Sequence, residues 1–366
     1  MDLLNISRES SGMEFSYNIQ WTDSFSGLAQ AINDIPLCPG KICIVTDSNV
    51  ADFYLEEVKK ELETCFSQVY AFVIPAGEEY KNLQTIITIY EFLIDHKFDR
   101  KDMLVALGGG VTGDMTGFTA ASYLRGINYI QVPTTLLSEV DSSVGGKTGV
   151  DFQQYKNMVG AFYQPRLVYM NMKALETLPA EQFASGMAEV LKSAYLRDRE
   201  FALWLQTHSD AVQKKDPEAL AYLIRKCCEI KAAVVAEDPK ENGLRAILNL
   251  GHTLGHAVEK LKDFTLLHGQ CVAIGMVAAA YLSAKKGYIS NDDYQMIIDM
   301  NRLYHLPVSV EGISAEDILE ATKSDKKMEK GHIKFILLKP FGTAVIDESI
   351  SEEEILEMAK VITEER

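Results

Sequence analysis

Three of the seven histidines, His252, His256 and His268, lie close together in the segment NLGHTLGHAVEKLKDFTLLHG. His252 and His256 are four residues apart, so on a helix they would share one face. The spacing resembles the HExxH motif of zinc peptidases, but Thr253 follows His252 and the glutamate base is missing. A peptidase is therefore not expected. The pair is either two core histidines or part of a metal site, for which His268 offers a third ligand.

A carboxylate that could complete such a site lies in SGMAEVLKSAYL, where Glu189 and Lys192 are three residues apart in an otherwise apolar helical pattern. Isolated buried charges would be costly there, so both side chains need partners. A carboxylate that faces imidazoles suits Zn²⁺ with one coordination position left open for a substrate. The spacing alone does not decide which two of the histidines would be ligands.

A glycine-rich turn, GGGVTGD at 108–114, follows a predicted strand and opens a predicted helix. It does not match the dinucleotide-binding pattern GxGxxG, and a simple tight turn is the alternative interpretation. Three consecutive glycines followed by Gly113 and Asp114 favour a binding role, because backbone N–H groups at the helix start could face a pyrophosphate.

The segment VDSSVGGKTGV at 140–150 contains Gly-Lys-Thr, as a phosphate-binding P-loop does. The P-loop motif requires a glycine where this chain has Asp141, which excludes that interpretation. What remains is a flexible glycine pair that presents Lys147, with Lys156 and Asn157 close behind it in the sequence. Lysine side chains are suited to binding phosphate as point charges.

Three further polar residues, Lys231, Arg245 and Asn249, precede the histidine cluster. Arg245 and Asn249 are four residues apart, and Asn249 is three residues before His252. A continuous helix over 244–261 would therefore project Arg245, Asn249 and His252 from one face. An arginine on a surface helix is usually solvated, but the neighbouring histidines favour a place in the site.

The first half of the chain, which must position many of these residues, reads as strands that alternate with helices. Apolar, β-rich runs at 41–50, 68–77, 102–110 and 129–135 end in turn-prone residues, and a helical pattern covers 83–95. This alternation predicts a mostly parallel, Rossmann-like sheet covered on both faces. Ligands of such sheets bind at the carboxyl ends of the strands, which here carry Asp47, residues 76–78, residues 108–110, Thr134 and Thr135.

After about residue 178 the pattern becomes mainly helical, with helical periodicity near 181–196, 217–236, 244–261, 267–287 and 293–304. A chain of 366 residues is long enough for two domains. We therefore predict an α/β nucleotide-binding domain at 1–178 and a mainly helical, metal- and substrate-binding domain at 179–366. The active site is expected in the cleft between them.

The composition disfavours several classes of protein. Lys and Arg number 36 against 52 Asp and Glu, and the resulting net charge of −16 argues against nucleic-acid or membrane-surface binding. The longest apolar run, 271–282, is too short to span a bilayer, and the N-terminus has no signal pattern. Six cysteines without CxxC spacing indicate reduced thiols in a cytoplasmic protein. An anionic substrate would need basic residues concentrated where it binds.

Several long segments resemble the 3-dehydroquinate synthase family of sugar phosphate cyclases, and the likeness covers most of the chain. The segments are PAGEEYK (75–81), GGGVTGDMTGFTAASYLRG (108–126), QVPTTLLSEVDSSVGGKTGVD (131–151), KNMVGAFYQP (156–165), LETLPAEQFASGMAEVLK (175–192), LNLGHTLGHAVE (248–259), LHGQCVAIGM (267–276) and SDKK (324–327). The resemblance implies a carbon–oxygen lyase that converts 3-deoxy-D-arabino-heptulosonate 7-phosphate into 3-dehydroquinate and phosphate, in the shikimate pathway. It also implies NAD⁺, a divalent metal such as Zn²⁺ or Co²⁺, and a homodimer.

The resemblance also assigns roles to residues by position. The implied metal ligands are Glu189, His252 and His268, which leaves His256 as a proton-transfer group. The implied NAD⁺ contacts are Asp47, Asn49, Glu78, Lys81, Gly109, Gly110, Val111, Thr112, Gly113, Asp114, Thr134, Thr135, Lys147, Lys156, Ala174 and Thr177. The implied substrate contacts are Asp141, Lys147, Lys156, Asn157, Lys192, Lys231, Arg245, Asn249, His256 and one of Lys326 and Lys327. Arg125 is expected to reach across the dimer to the substrate phosphate.

The implied reaction is a transient oxidation, β-elimination of phosphate, re-reduction, ring opening and an intramolecular aldol closure, with no net redox change. A sedoheptulose 7-phosphate cyclase and an NAD-dependent polyol dehydrogenase of related fold are the alternatives. The substrate of that cyclase lacks a carboxylate, so Arg245, Lys231 and the pair Lys326–Lys327 favour the keto acid. Asp151 and Tyr155 depart from the usual pattern of the family, and their effect is expected on cofactor affinity.

Overall fold

The computed structural model describes residues 2–8, 15–153, 155–241, 243–329 and 333–364. The chain forms two compact units. The first comprises Met1–Leu178 together with Lys231–Ala236, and the second comprises Pro179–Ile230 and Glu237–Arg366. The short segment Lys231–Ala236 therefore belongs with the first unit, which a single boundary after Leu178 does not anticipate.

The first unit is built on a seven-stranded sheet. Its strands are β1 (Asp2–Arg8), β2 (Phe15–Thr22), β3 (Ile42–Asp47), β4 (Val69–Ile74), β5 (Met103–Gly108), β6 (Asn128–Pro133) and β9 (Leu167–Asn171). The strand order is β1-β2-β9-β6-β5-β3-β4, in which β1 is antiparallel to β2 and every other neighbouring pair is parallel. The four strands expected from the apolar runs all lie within this sheet, so the mostly parallel α/β prediction is confirmed.

Helices cover both faces of the sheet. They are α1 (Leu28–Asn33), α2 (Ser48–Val50), α3 (Glu56–Glu63), α4 (Leu83–Asp95) and α5 (Gly110–Ser122). Side chains alternate between the two faces of a strand, so Ile42 and Ile44 of β3 pack in one core cluster, while Cys43 and Val45 pack in the other. Both faces of the central strands are apolar because both are buried.

A separate hairpin lies within the same unit, formed by the antiparallel strands β7 (Lys147–Phe152) and β8 (Tyr155–Phe162). Sequence patterns did not indicate this hairpin, nor β1, β2 and β9. The hairpin packs against α5. It thereby brings its lysines to the same unit as the glycine-rich turn that opens α5.

The second unit is mainly helical, as predicted. Its helices are α6 (Ala180–Arg197), α7 (Arg199–Thr207), α8 (Ser209–Gln213), α9 (Pro217–Glu237, whose last turns belong to the first unit), α10 (His252–Leu261), α11 (His268–Lys285), α12 (Asn291–Leu303), α13 (Ala315–Glu329) and α14 (Glu352–Thr363). A short antiparallel pair, β10 (Phe335–Leu338) and β11 (Ala344–Asp347), accompanies them. Helix α11 packs against α6, α10, α12 and α14, and its small apolar residues are almost all buried. In the described ranges, no helix is long and apolar enough to cross a membrane.

Candidate active site

Glu189, His252 and His268 come together in the second unit. Glu189 lies within α6, while His252 and His268 are the first residues of α10 and α11. Oε1 of Glu189 is 3.9 Å from Nε2 of His252 and 3.7 Å from Nε2 of His268. One ligand atom from each residue lies within 4.8 Å of the other two, a spacing that suits one metal ion.

Close contact between helices makes this convergence possible. A Cβ atom at Gly269 would overlap the carbonyl oxygen of Ser185 in α6, and a Cβ at Gly275 would overlap that of Gly251, which precedes α10. Gly269 also donates its backbone N–H to Oγ of Ser185 at 3.0 Å. The three helices approach backbone to backbone because glycine occupies these positions, and their ligand side chains meet as a result.

The electrostatics of the cluster favour the forms that bind metal. Burial raises the pKa of Glu189, but the ammonium of Lys192 and the two imidazoles outweigh it and hold that pKa well below its usual range. Burial, with the positive charge of Lys192, holds the pKa of His252 well below its usual range. An ionised carboxylate and a neutral imidazole are the states that ligate Zn²⁺. Oε1 of Glu189 has no hydrogen-bond partner among the described residues, as expected of an atom reserved for a ligand.

His256 and Glu259 lie beside this cluster on α10. Nδ1 of His268 is 3.8 Å from Oε1 of Glu259, and His256, Glu259 and His268 form a second group with metal-ligand spacing. His256 is exposed, whereas Glu259 is buried. Sequence analysis did not single out Glu259. Its position seven residues after His252, on the same helical face, is the signal that would have found it.

The residues before His252 do not form one helix, so the expectation of a shared helical face for Arg245, Asn249 and His252 is wrong. A 3₁₀ helix covers Leu244–Asn249, and the chain then turns through Gly251, whose φ of +79° favours glycine. Glycine at this point separates the two helical segments and sets the start of α10.

Arg245 and Asn249 instead have local partners. The buried guanidinium of Arg245 donates to the carbonyl of Pro239 at 2.7 Å, and Nδ2 of Asn249 donates to Oε1 of Glu241 at 3.0 Å. Glu241 was not predicted, and no motif in the surrounding sequence would indicate it. The side chains of Lys326 and Lys327 lie outside the described residues.

The first unit presents a helix start and a strand end side by side. Asp47 ends β3 and is the N-cap of α2, where its side chain accepts hydrogen bonds from the N–H groups of Asn49 (3.0 Å) and Val50 (3.1 Å). Its other oxygen accepts from Oγ1 of Thr112 in α5 at 3.1 Å. Asp47 thus joins the end of β3 to the first turn of α5.

The glycine-rich turn opens α5 as predicted. Gly109 is the N-cap of α5, where no side chain caps the helix and no acidic residue lies in its first turn. This leaves the N–H groups at the helix start for an anion. The buried Thr134 donates its N–H to the carbonyl of Gly108 at 3.1 Å, and Thr135 shares a hydrogen bond with Ser138 at 2.9 Å. The remaining predicted residues of this turn are Gly110, Val111, Gly113 and Asp114, all within α5.

Lys81 joins several predicted residues of the first unit. Its Nζ donates to Oδ2 of Asp114 at 2.7 Å and to Oδ1 of Asn157 at 2.6 Å. Asn157 adopts a left-handed backbone (φ +53°), and its N–H donates to Oδ1 of Asp151 at 2.8 Å. Asp151, one of the unusual positions of this chain, therefore fixes the backbone that presents Asn157 to Lys81.

The other predicted cations of the first unit differ in their exposure and in their carboxylate neighbours. Nζ of Lys156 is 3.6 Å from Oε1 of Glu78. Nζ of Lys231 donates to the backbone and side-chain oxygens of Asp141 at 2.6 and 2.7 Å. Lys147, at the start of β7, is exposed and follows two glycines with positive φ.

Two predicted regions are less connected to these groups. Tyr54, which was not predicted, donates its hydroxyl to the carbonyl of Ala174 at 3.1 Å and shares a hydrogen bond with Thr177 at 2.6 Å. Arg125 is exposed in a short turn with φ of +66°, and Asn49 is exposed on α2.

Comparison with known proteins bears on what these residues do. The family model described as "3-dehydroquinate synthase N-terminal" matches residues 71–185, and that described as "3-dehydroquinate synthase C-terminal" matches residues 186–328. The chain belongs to the 3-dehydroquinate synthase family. A 3-dehydroquinate synthase of Syntrophotalea carbinolica is 46% identical over 325 residues, which cover 88% of this chain and 90% of that protein.

Solved structures of related cyclases share the fold of this family member. A 2-epi-5-epi-valiolone synthase from Streptomyces hygroscopicus, with NAD⁺ and Zn²⁺ bound, has a TM-score of 0.88 at 27% identity and covers 97% of this chain and 99% of its own. A 2-deoxy-scyllo-inosose synthase complexed with carbaglucose-6-phosphate, NAD⁺ and Co²⁺ has a TM-score of 0.85 at 25% identity, with coverages of 98% and 99%. Both are metal- and NAD⁺-bound cyclases of the architecture described above.

Proposed function

We propose that this member of the 3-dehydroquinate synthase family converts 3-deoxy-D-arabino-heptulosonate 7-phosphate into 3-dehydroquinate and phosphate. The activity is that of an NAD⁺- and metal-dependent lyase with no net redox change. The observation that carries the proposal is the convergence of His252 and His268 on the buried Glu189, beside Lys192, in a chain with the family's two domain signatures.

The residues of the second unit fit a divalent metal. One carboxylate and two imidazoles supply three ligands and leave a position for substrate oxygen, as catalytic zinc sites do. When bound, the metal would make a substrate hydroxyl more acidic and NAD⁺ would accept and return a hydride. Lys192 holds Glu189 ionised, and His256 is placed to move a proton at the edge of the same cluster.

The cationic and amide groups of the same unit suit the substrate's carboxylate and hydroxyls. Arg245 is held rigidly because its backbone N–H and its guanidinium are both hydrogen bonded. Asn249 is oriented by Glu241. Rigid polar groups of this kind bind and orient a small ligand at low entropic cost.

In the first unit we assign cofactor and phosphate binding. The free start of α5 and the Asp47 carboxylate suit a dinucleotide, and Lys81 holds Asp114 and Asn157 in place beside that helix. Lys147 and Lys156 are assigned to the departing phosphate, whose negative charge they stabilise. Asp141 orients Lys231 through two hydrogen bonds.

The test is an assay of the purified chain with the heptulosonate phosphate, NAD⁺ and Zn²⁺. We expect release of one phosphate per 3-dehydroquinate formed, without lasting absorbance of reduced nicotinamide. Accumulation of reduced nicotinamide without phosphate release would instead indicate a polyol dehydrogenase. Turnover of sedoheptulose 7-phosphate in preference to the keto acid would indicate the other cyclase.

We also infer a cytoplasmic homodimer in which Arg125 serves the partner's phosphate site. Two of the six cysteines, Cys38 and Cys65, are exposed free thiols, which suits a reducing compartment. Arg125 is exposed in a tight turn, where its side chain can reach a second subunit. The test combines two inactive variants, Arg125→Ala and Lys147→Ala. If Arg125 acts in the partner, an equimolar mixture after random subunit exchange regains about a quarter of the wild-type activity, because half of the dimers are mixed and one of the two sites in each mixed dimer is intact. If Arg125 acts in its own subunit, the mixture stays inactive.

A further inference from the structure

His268 has a carboxylate on each side of its imidazole ring. Nε2 lies 3.7 Å from Oε1 of Glu189, and Nδ1 lies 3.8 Å from Oε1 of Glu259. Both carboxylates are almost fully buried, with side-chain exposures of 2% and 3%. The proposed function uses only the first of these contacts.

We propose that Glu259 is a positioning residue, which holds the His268 ring so that Nε2 faces a metal bound with Glu189 and His252. The inference deepens the proposed function and rests on its metal site. It assigns a role to a side chain that contacts neither the metal nor the substrate.

Two groups of residues have metal-ligand spacing and share His268, whose Nε2 faces the carboxylate of one group and whose Nδ1 faces that of the other. The group with Glu189 is drawn from three helices, and the ammonium of Lys192 pairs with its carboxylate. The group with Glu259 takes two members from one helix, and His256 in it is exposed. A metal is attracted more strongly where water is excluded, so Glu189 is the ligand and Glu259 the outer carboxylate.

Histidine ligands of metals usually present their second ring nitrogen to a carboxylate, which fixes the ring and its tautomer. The buried negative charge of Glu259 favours the tautomer that carries its proton on Nδ1. Nε2 then keeps its lone pair for the metal. At 3.8 Å the two atoms lie within ion-pair range but beyond hydrogen-bond distance, so Glu259 acts on Nδ1 through its charge.

The backbone around His268 is already fixed on both sides. The N–H of Leu267 donates to Oε1 of Gln270 at 2.9 Å, and the N–H of Gly269 donates to Oγ of Ser185 at 3.0 Å. The ring itself is one-third exposed, and neither backbone hydrogen bond fixes its rotation about the Cβ–Cγ bond. Glu259 restricts that remaining freedom, and α10 supplies both a ligand, His252, and this restraint.

The experiment measures zinc affinity without substrate or NAD⁺, by competition with a chromophoric chelator. Glu259→Gln keeps the shape and removes the charge, and we expect it to weaken zinc binding about tenfold, with Glu259→Ala between about 10- and 100-fold. Glu259→Asp keeps the charge and should lose less than Glu259→Gln. Glu189→Gln removes a ligand and should lose the most. The control is Asp293→Asn, a buried carboxylate paired with Arg199 and Ser290, which should leave the affinity unchanged.

A second readout is the visible spectrum of the Co²⁺-substituted protein, whose ligand-field bands should shift in Glu259→Gln and stay unchanged in Asp293→Asn. Wild-type affinity and spectrum in Glu259→Gln would overturn the inference while leaving the metal site intact. A greater loss in Glu259→Gln than in Glu189→Gln would place the metal in the other group and overturn it as well. A wild-type chain that binds no zinc would overturn both the inference and the proposed metal site.

Discussion

Lys81 shows how one buried side chain organises a region of the first unit. Burial lowers the pKa of Lys81, but the negative charges around it, mainly those of Asp114 and Glu78, have the larger effect. The pKa of Lys81 therefore lies above its usual value, and the ammonium stays charged. Burial, together with the negative charge of Glu78, keeps the pKa of Asp114 above its usual value although Lys81 lowers it. Each charge therefore depends on the other, because an unpaired charge in this position has no compensation.

We expect Lys81→Met to destabilise the first unit by about 2–4 kcal/mol, because it leaves the partly buried Asp114 carboxylate without its nearest counterion. Adding Asp114→Asn should recover much of the stability but not the affinity for NAD⁺. Urea unfolding and calorimetric titration with NAD⁺ measure the two effects. Wild-type stability in Lys81→Met would show that the ion pair is not what holds Asp114.

Lys147 is exposed, so its contribution should be catalytic and not structural. We expect Lys147→Ala to lower kcat by about 10²–10³-fold, the usual effect of losing a group that stabilises transition-state charge, with no change in melting temperature. Steady-state phosphate release and thermal unfolding provide the measurements. Lys323→Ala, which removes a lysine that pairs with Glu352 on the surface, is the matched control. Equal activity in the two variants would remove Lys147 from the site.

At this scale the sequence identified residue types but not all of their neighbours. The spacing of His252, His256 and His268 and the buried pair Glu189 and Lys192 was visible directly. The contact between Lys81 and Asp114 was not, because it depends on the order of strands in the sheet. Spacing also could not choose between Nδ1 and Nε2 of His268, which the facing carboxylates distinguish.

Glycine allows the helices of the second unit to approach one another closely. A Cβ at Gly275 of α11 would overlap the carbonyl oxygen of Gly251, just before α10. Periodicity predicted both helices but merged α10 with the 3₁₀ helix before it. A hydrophobic pattern reports which residues are buried, and it does not report how closely two backbones approach.

Gly275→Ala should cost about 1–3 kcal/mol of stability and also weaken zinc binding, because the added methyl pushes α10 and α11 apart and separates their histidines. The control is Gly287→Ala, where φ is +70° and the space around a Cβ is open. It should cost about 1–2 kcal/mol through backbone strain alone, without any effect on zinc. Melting curves and chelator competition on both variants separate the two causes. Equal zinc affinity in the two would show that the helix contact does not position the ligands.

Across the whole molecule, stability should respond to pH through buried carboxyl groups. Glu139 is fully buried, and burial raises its pKa well above the usual range. The folded state therefore keeps a proton that the unfolded state releases once the pH exceeds about 4.3. The free energy of unfolding therefore falls as the pH rises from the unfolded-state pKa towards the higher folded-state pKa of Glu139, because the unfolded state gains stability from releasing the proton.

Glu139→Gln mimics the protonated carboxyl and should be free of this penalty. We expect its melting temperature to exceed that of the wild type by an amount that grows from about pH 5 to about pH 7.5. Differential scanning calorimetry at the two values measures the gap. Glu63→Gln, which removes an exposed carboxylate, should show no such growth. A constant gap for Glu139→Gln would mean that Glu139 ionises in the folded state.

The net charge of −16 is also a property of the whole molecule, and it does not predict where positive charges lie in the structure. Lys81, Lys192, Lys231 and Arg245 are all buried in an acidic chain, each beside an oxygen acceptor. Two compact units were expected from the length alone. The assignment of Lys231–Ala236 to the first unit was not expected. It depends on which residues the C-terminal part of α9 contacts, and helical periodicity does not report those contacts.

That assignment has a consequence for synthesis on the ribosome. The chain emerges from its N-terminus, yet Asp141 finds its partner Lys231 only after residues 179–230 of the other unit have been made. The first unit cannot complete its native contacts while it is being translated, and must wait for helix α9. Nascent chains stalled before residue 231 should therefore be more sensitive to protease in the segment Ser138–Ser142 than chains stalled well after it.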